Sequence, residues 1–216
     1  MKKTVLIMLA VLTLLDSCIE KSKNVPFEEV NVGVVVRDTM IYGFCGRGSD
    51  KSVLIIITDA GDTISLNVER ARADSLVMGS YAVGDELAVT VDADTANATM
   101  VVNKSALYGN WVMPNPIDGS SEMGVSIQKG GTAESIDQSE ALYKSWRLFN
   151  GKLLLVLTRV DGIGSDETQT LTIKRLTHDS LIVVEDEDLY EYSRQRIVTD
   201  DKIDLDLDDG ADDFFL

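Results

Sequence analysis

The sequence predicts an all-β protein built from two small β domains. Segments rich in Val, Ile and Thr alternate with turns rich in Gly, Asn and Asp along most of the chain. Among the internal segments, 69–78 has a helix-favouring composition free of Gly and Pro. With 216 residues, 44% of them hydrophobic, the chain is long enough for one large or two small domains.

Composition argues against several classes of function. The chain has 20 Lys and Arg against 36 Asp and Glu, a net charge of −16, which opposes binding to nucleic acid. One His and two Cys leave little for a metal centre or a His-dependent triad. We therefore predict no metal, no cofactor, no catalytic residues and no enzymatic activity, with Cys45 as an unpaired structural residue.

The first 17 residues are predicted to be a signal peptide. Lys2 and Lys3 precede an apolar run of 11 residues, 5–15, as in a secretory signal. This run is too short to span a membrane, which takes about 20 residues. The stretch 15–18, Leu-Asp-Ser-Cys, resembles a bacterial lipobox. This resemblance implies acylation of Cys18, a tether over 18–28, and anchoring in the cell envelope at the outer membrane. The alternative is an ordinary cleaved signal followed by an incidental cysteine.

The segment 29–105 is predicted to form a small domain of five strands. The strands are expected at 30–36, 52–58, 63–68, 86–91 and 99–103, with a helix at 69–78 between the third and fourth. This order of elements resembles an OB-fold. The glycine-rich segment 43–48 has no following helix and no P-loop lysine, so we interpret it as a flexible hairpin.

The segment 106–198 is predicted to form an eight-stranded up-and-down barrel. Its strands are expected at 110–113, 124–128, 132–136, 143–149, 152–160, 168–176, 181–185 and 189–196. Asn150-Gly151 is a strong two-residue hairpin signal.

Motifs in this segment resemble those of lipocalins. Gly109 and Trp111 match the G-x-W signature, and Arg194 lies where that family places an arginine over the tryptophan. The stretch 131–156, GTAESIDQSEALYKSWRLFNGKLLLV, is similar to the family's central strands. The segment as a whole resembles the lipocalin-like domain of bacterial outer-membrane lipoproteins. The resemblance implies a noncatalytic binding or structural module, in which Trp111 and Arg194 close one end of the barrel.

Strand alternation predicts the residues that line the barrel and would contact a ligand. They are Met113, Met123, Val125, Tyr143, Trp146, Leu155, Leu171, Ile173, Tyr190 and Tyr192. A barrel of eight strands either is filled by side chains or holds one small ligand, and the sequence leaves both open. The first function we expect is a lipid-anchored envelope protein that binds a small apolar or amphipathic molecule. The alternative is a scaffold lipoprotein that recruits another envelope protein through its surface or its acidic tail.

The acidic tail, residues 199–216, contains eight Asp and one Lys. Asp204, Asp206 and Asp208 have the spacing of a calcium loop, but Asp209 stands where an EF-hand requires Gly. This charge density predicts a solvated tail that binds cations weakly at most.

Overall fold

The computed structural model describes residues 37–115, 119, 121–137, 141–160 and 164–195. These residues form fourteen strands and two short helices, so the predicted all-β class is confirmed. The signal peptide, Cys18, the predicted strand at 30–36 and the acidic tail lie outside the described residues.

The first sheet has six strands in the order β3-β2-β1-β5-β6-β4. Neighbouring strands are antiparallel except β4, which runs parallel to β6. An isolated parallel bridge joins Asn67, at the end of β3, to Asn97, just before β6. The strands are β1 Ile41–Cys45, β2 Val53–Thr58, β3 Thr63–Asn67, β4 Val77–Met78, β5 Glu86–Val91 and β6 Ala98–Asn103, and helix α1, Glu69–Ala73, follows β3.

Two features of this sheet differ from the sequence prediction. Strand β1 includes part of the segment 43–48, which we had interpreted as a flexible hairpin. Gly43 permits this strand pairing, because a Cβ at that position would lie 2.2 Å from the Ile57 carbonyl oxygen of β2. Helix α1 ends at Ala73 rather than at residue 78, since Ser75 adopts a left-handed φ of 57° and the chain then enters β4.

The second sheet forms the predicted eight-stranded antiparallel barrel, which is confirmed. Helix α2, Lys104–Leu107, leads into it from β6. Its strands follow one another around the barrel, and β14 returns to pair with β7. They are β7 Gly109–Pro114, β8 Glu122–Ile127, β9 Ala133–Ile136, β10 Ala141–Phe149, β11 Lys152–Arg159, β12 Asp166–Leu176, β13 Ser180–Glu185 and β14 Asp188–Arg194.

The barrel closes between β9 and β10 with few main-chain bonds. Thr132 and Ser145 form an isolated bridge, and the Trp146 amide donates to the Gly131 carbonyl oxygen over 2.8 Å. The Ser135 hydroxyl donates to the Ala141 carbonyl oxygen over 2.6 Å and accepts from the Tyr143 amide over 2.8 Å. A side chain therefore replaces part of the missing strand ladder.

The six-stranded sheet covers one end of the barrel. We call this the lower end; it carries the turns 150–151 and 177–179, and the opposite end is the upper end. Three hydrogen bonds join the first part of the chain to this end. The Thr39 amide donates to Asn150 Oδ1 over 2.9 Å, and the Tyr42 hydroxyl donates to the Leu148 carbonyl oxygen over 2.9 Å. The Gly79 amide donates to the Leu176 carbonyl oxygen over 3.1 Å. Met40, Met78, Ala88, Val102 and Leu107 share one apolar cluster with the barrel interior.

A second apolar cluster lies within the six-stranded sheet and includes Leu54, Ile56, Leu66 and Val101. Cys45 is buried in it and is a free thiol. In the described part of the chain, no helix combines the length and hydrophobicity that crossing a bilayer requires. Nor do the described residues include a group of three or more His, Cys, Asp or Glu arranged to hold a metal ion.

Candidate functional site

Trp111 closes the lower end of the barrel from inside. Its side chain is completely buried, and its indole Nε1–H donates to the Leu107 carbonyl oxygen at the end of α2 over 2.7 Å. A buried indole needs such an acceptor, because an unsatisfied N–H in an apolar interior costs about 1–3 kcal/mol. Asn103 caps the start of helix α2, and its side chain accepts from the Ala106 amide over 3.1 Å. The connection between the two sheets thus supplies the acceptor for Trp111.

Arg194 stacks on Trp111 and ties three chain segments together. Its Cζ lies 4.2 Å from the indole centroid. Nε donates to the His178 carbonyl oxygen over 2.5 Å, Nη1 to that of Tyr108 over 2.6 Å, and Nη2 to that of Ala106 over 2.7 Å. Burial lowers the pKa of the Arg194 guanidinium, an effect that the charge of Asp179 opposes. The predicted pair of Trp111 and Arg194 does come together at one end of the barrel.

Gly109 is required by this arrangement. Its φ of 129° lies in the region that favours glycine, and a Cβ there would lie 2.4 Å from Arg194 Nη1. The first residue of the G-x-W motif therefore makes room for the arginine that covers the motif's tryptophan.

The structure places the ten predicted lining residues on one face of the barrel strands. Six are buried members of the central apolar cluster, and three are partly buried and packed against it. Met123 is half-buried and lies directly opposite Met113 in the β7–β8 pair. The six buried residues are Val125, Trp146, Leu155, Leu171, Ile173 and Tyr192, and the three partly buried ones are Met113, Tyr143 and Tyr190.

Polar side chains form a chain of hydrogen bonds across the inner face nearer the upper end. The Tyr143 hydroxyl donates to Gln169 Oε1 over 3.3 Å, and Gln169 Nε2 donates to Glu185 Oε2 over 2.6 Å. All three side chains are partly buried. The barrel interior is therefore apolar at its lower end, while three strands place a phenol, an amide and a carboxylate in a row farther up.

Two more tyrosines stand beside this row. The rings of Tyr190 and Tyr192 stack with centroids 6.5 Å apart. Burial raises the pKa of the Tyr192 hydroxyl, and Tyr143, Tyr190 and Glu185 raise it further. Tyr192 is only 7% exposed, and no hydrogen bond to its hydroxyl comes from the described residues. No polar side-chain atom of the described residues is both fully buried and without a partner. A phenol hydroxyl that has no bond from these residues is suited to bind a ligand or water inside the barrel.

Gln169 and Glu185 were missing from the sequence prediction. Strand alternation places Gln169 on the same face as Leu171 and Ile173, and Glu185 on the same face as Val183. The period that identified the apolar lining would have identified both residues, had polar side chains been considered for the inner face.

A crevice of about 540 Å³ lies where the six-stranded sheet meets the barrel; among the residues that line it are Tyr42, Tyr108 and Trp146. The Glu86 carboxylate in this crevice pairs with two lysines: Lys129 Nζ lies 2.6 Å from Oε1, and Lys104 Nζ lies 3.6 Å from Oε2. Its Oε2 also accepts from the Tyr108 hydroxyl over 2.5 Å. Burial alone would raise the pKa of the Glu86 carboxyl, but the bonds from Lys129 and Tyr108 and the charge of Lys104 hold it below its ordinary value. These contacts fix the sheet against the barrel.

Comparison with known proteins agrees with this geometry. Residues 103–195 match the model of a family described as lipocalin-like. The chain is similar to a lipocalin-like protein of known crystal structure from Bacteroides thetaiotaomicron VPI-5482, with 30% identity over 42% of this chain and 97% of that one, and a TM-score of 0.38. No curated protein matches the chain. Residues 103–195, which contain both the G-x-W motif and Arg194, therefore form a lipocalin-like domain.

Proposed function

We propose that the barrel binds one small amphipathic molecule without transforming it chemically. The observation that carries this proposal is the Tyr192 hydroxyl, which has no hydrogen bond from the described residues and stands beside the row of Tyr143, Gln169 and Glu185. An apolar portion of the ligand would contact Leu171, and a polar portion would reach the row. A few placed polar groups in an apolar pocket are typical of small-molecule sites.

The polar row also limits the chemistry of the ligand. It offers a carboxylate, an amide and phenols, and burial together with nearby negative charge keeps the Tyr192 phenol protonated, since its pKa is raised. A ligand carboxylate would be repelled by Glu185, because like charges in a poorly solvated site are costly. The proposed ligand therefore carries a hydroxyl, amide or ammonium group rather than a free acid.

Binding can be tested with fluorescent amphiphiles that share one alkyl chain and differ in carrying a carboxylate, a hydroxyl or an ammonium head. We expect the hydroxyl and ammonium probes to bind more tightly than the carboxylate. Tyr192→Phe should weaken binding about fivefold, the equivalent of one hydrogen bond of about 1 kcal/mol. Tyr81→Phe is the matched control, because it removes a hydroxyl that contacts Arg72 outside the barrel. Equal affinity for all three probes would contradict the proposed ligand class.

Lipid anchoring in the cell envelope is the second part of the proposal, supported by the lipobox-like stretch 15–18. In a bacterial host fed with an alkyne analogue of palmitate, the chain should acquire the label and fractionate with outer membranes. Cys18→Ala should abolish both, whereas Cys45→Ala should abolish neither, because the Cys45 thiol is buried. Labelling that survives Cys18→Ala would overturn the anchor.

We also infer an OB-like fold for the six-stranded sheet. A meander of β3, β2 and β1 continues through β5 to β6, and α1 lies between β3 and β5 in the chain. The parallel bridge from Asn67 to Asn97 brings β3 next to β6, as closure of a small barrel requires. In this proposal the six-stranded sheet holds the lipocalin-like barrel away from the membrane. Because the sheet contacts the lower end of the barrel, the upper end is left for the ligand.

The alternative, a scaffold lipoprotein with a filled barrel, is favoured by the burial of six predicted lining residues in one packed cluster. Native mass spectrometry of the chain without its signal peptide separates the two functions. A retained stoichiometric adduct supports the carrier, whereas a bare mass after incubation with a lipid extract supports the scaffold.

A further inference from the structure

A groove of about 440 Å³ lies between the six-stranded sheet and β12 of the barrel. The end of α1 and strand β4 form one side, and the end of β12 forms the other. Its lining residues are Arg72, Ser75, Val77, Met78, Lys174, Arg175 and Leu176. The groove is separate from the barrel interior and from the crevice around Glu86.

The groove is basic although the whole chain carries a net charge of −16. Three of its lining residues are cationic and exposed, and none of them is acidic. Arg72 donates to the Tyr81 hydroxyl over 2.9 Å and stacks on that ring at 5.2 Å. Within the described residues, Arg72, Lys174 and Arg175 take part in no ion pair. The Asp50 carboxylate is near enough to feel the charge of Arg72, but it does not line the groove. Three cations in a lining without a carboxylate favour an anionic occupant.

The floor of the groove is apolar. Met78 and Leu176 are 4% and 5% exposed, and Val77 is half-buried beside them. An occupant that fits both the floor and the walls therefore combines negative charge with aliphatic side chains.

The acidic tail has this combination. Eight Asp and one Lys give residues 199–216 a net charge of 1 − 8 = −7. In the stretch 203–208, Ile-Asp-Leu-Asp-Leu-Asp, aliphatic and acidic residues alternate. In an extended chain such alternation places aliphatic side chains on one face and carboxylates on the other.

The last described residues before the tail lie near this groove. The amide of Arg194, the last residue of β14, donates to the Asp179 carbonyl oxygen over 3.0 Å, and its Nε donates to that of His178. The turn that contains His178 and Asp179 directly follows Leu176 of the groove. An extended chain advances about 3.3 Å per residue, so the six residues from 194 to 200 reach about 20 Å. That length is ample for the tail to enter the groove of its own molecule.

We propose that the acidic tail binds in this groove of the same chain. Carboxylates of the tail pair with Arg72, Lys174 and Arg175, and the aliphatic residues of the stretch 203–208 contact Met78 and Leu176. The proposal is independent of ligand binding in the barrel, since the groove lies outside it.

A spin label near the end of the tail tests the proposal in the full chain without its signal peptide and Cys18. A nitroxide on Asp213→Cys should broaden the amide signals of residues 72–78 and 174–176 at about 20 mM salt, and about 0.5 M salt should remove the broadening. Arg72→Glu, Lys174→Glu and Arg175→Glu together should also remove it. The matched control combines Lys144→Glu, Lys152→Glu and Arg159→Glu, which changes net charge by the same six units elsewhere and should preserve the broadening.

Broadening that survives reversal of the groove charges would overturn the proposal, and so would broadening confined to other surfaces. Mixing spin-labelled protein with isotope-labelled protein that lacks the label reveals binding between copies, and signal loss only in that mixture would also overturn it. If the groove variant fails to fold, Asp204→Asn, Asp206→Asn and Asp208→Asn provide a second test that leaves the described residues intact. These tail substitutions should weaken the broadening at groove amides at least severalfold at low salt.

Discussion

The contact between Arg194 and Trp111 gives the sharpest prediction of stability. Arg194→Met retains an unbranched apolar stem and removes three hydrogen bonds to carbonyl oxygens together with a cation placed 4.2 Å from the indole centroid. Each charge-assisted bond contributes about 1.5–3 kcal/mol when the site is fully buried. Arg194 is only half-buried, so water replaces part of each bond. We therefore expect a loss of about 2–4 kcal/mol in the free energy of unfolding.

A double-mutant cycle isolates the stacking contribution. Trp111→Leu alone should cost about 3–5 kcal/mol, because it empties a fully buried site and leaves the Leu107 carbonyl oxygen without its donor. The cost of Arg194→Met should be smaller by about 1 kcal/mol in the Trp111→Leu background, since the cation–π contact is then already absent.

Urea unfolding followed by far-UV circular dichroism measures all four proteins of the cycle. Arg147→Met is the matched control, because that exposed arginine stacks on Phe149 at 4.9 Å. It should cost no more than about 1 kcal/mol. A coupling energy within about 0.3 kcal/mol of zero would refute the view that Arg194 and Trp111 close the barrel as one unit.

Three other predictions follow from the described contacts. Gly109→Ala should lower stability by about 3 kcal/mol in urea unfolding, because the backbone conformation is strained and the Cβ displaces the Arg194 guanidinium; an unchanged midpoint would contradict this. Because the folded-state pKa of Glu86 is lowered, its contribution to stability is present above the unfolded pKa and is lost as pH falls through the folded value. The difference in urea midpoint between the unmodified protein and Glu86→Gln should therefore narrow as pH drops below about 4.5, and a constant difference would count against the pairing. Lys144→Ala removes an exposed ion pair with Asp166, so the urea midpoint should not change measurably.

The barrel could be predicted almost strand by strand, because its signals are local. Alternating apolar residues mark one buried face, and Asn150-Gly151 specifies a tight hairpin at φ values of 47° and 77°. The Trp111 and Arg194 pair was found from the G-x-W resemblance, which encodes a contact between the first and last strands. A local pattern could not have given that contact, because the two residues are 83 positions apart in sequence.

The sheet was harder to predict, since its determinants are long-range. Strand β1 contains Gly43, whose role depends on the approach of Ile57 from β2. Strand β4 has only two residues and is stabilised by its pairing with β6. A segment this short has no hydrophobic period from which a strand could be predicted. In the candidate site, the sequence prediction omitted Gln169 and Glu185 for a different reason. A polar residue on a largely apolar strand face is not expected to line a core, and only the structure shows that these two side chains bond to each other.

The position of the sheet bears directly on where a ligand would bind. Met40, Ala88 and Val102 of the sheet and its connections pack into the same cluster as Trp111, so the lower end of the barrel is occupied from both sides. The apolar side chains packed there stabilise the fold. The partly buried lining residues Met113, Tyr143 and Tyr190 lie toward the opposite end, where the polar row crosses the inner face. The same eight strands thus form a packed core at the lower end and carry a row of hydrogen-bonding groups farther up, where the proposed ligand would bind.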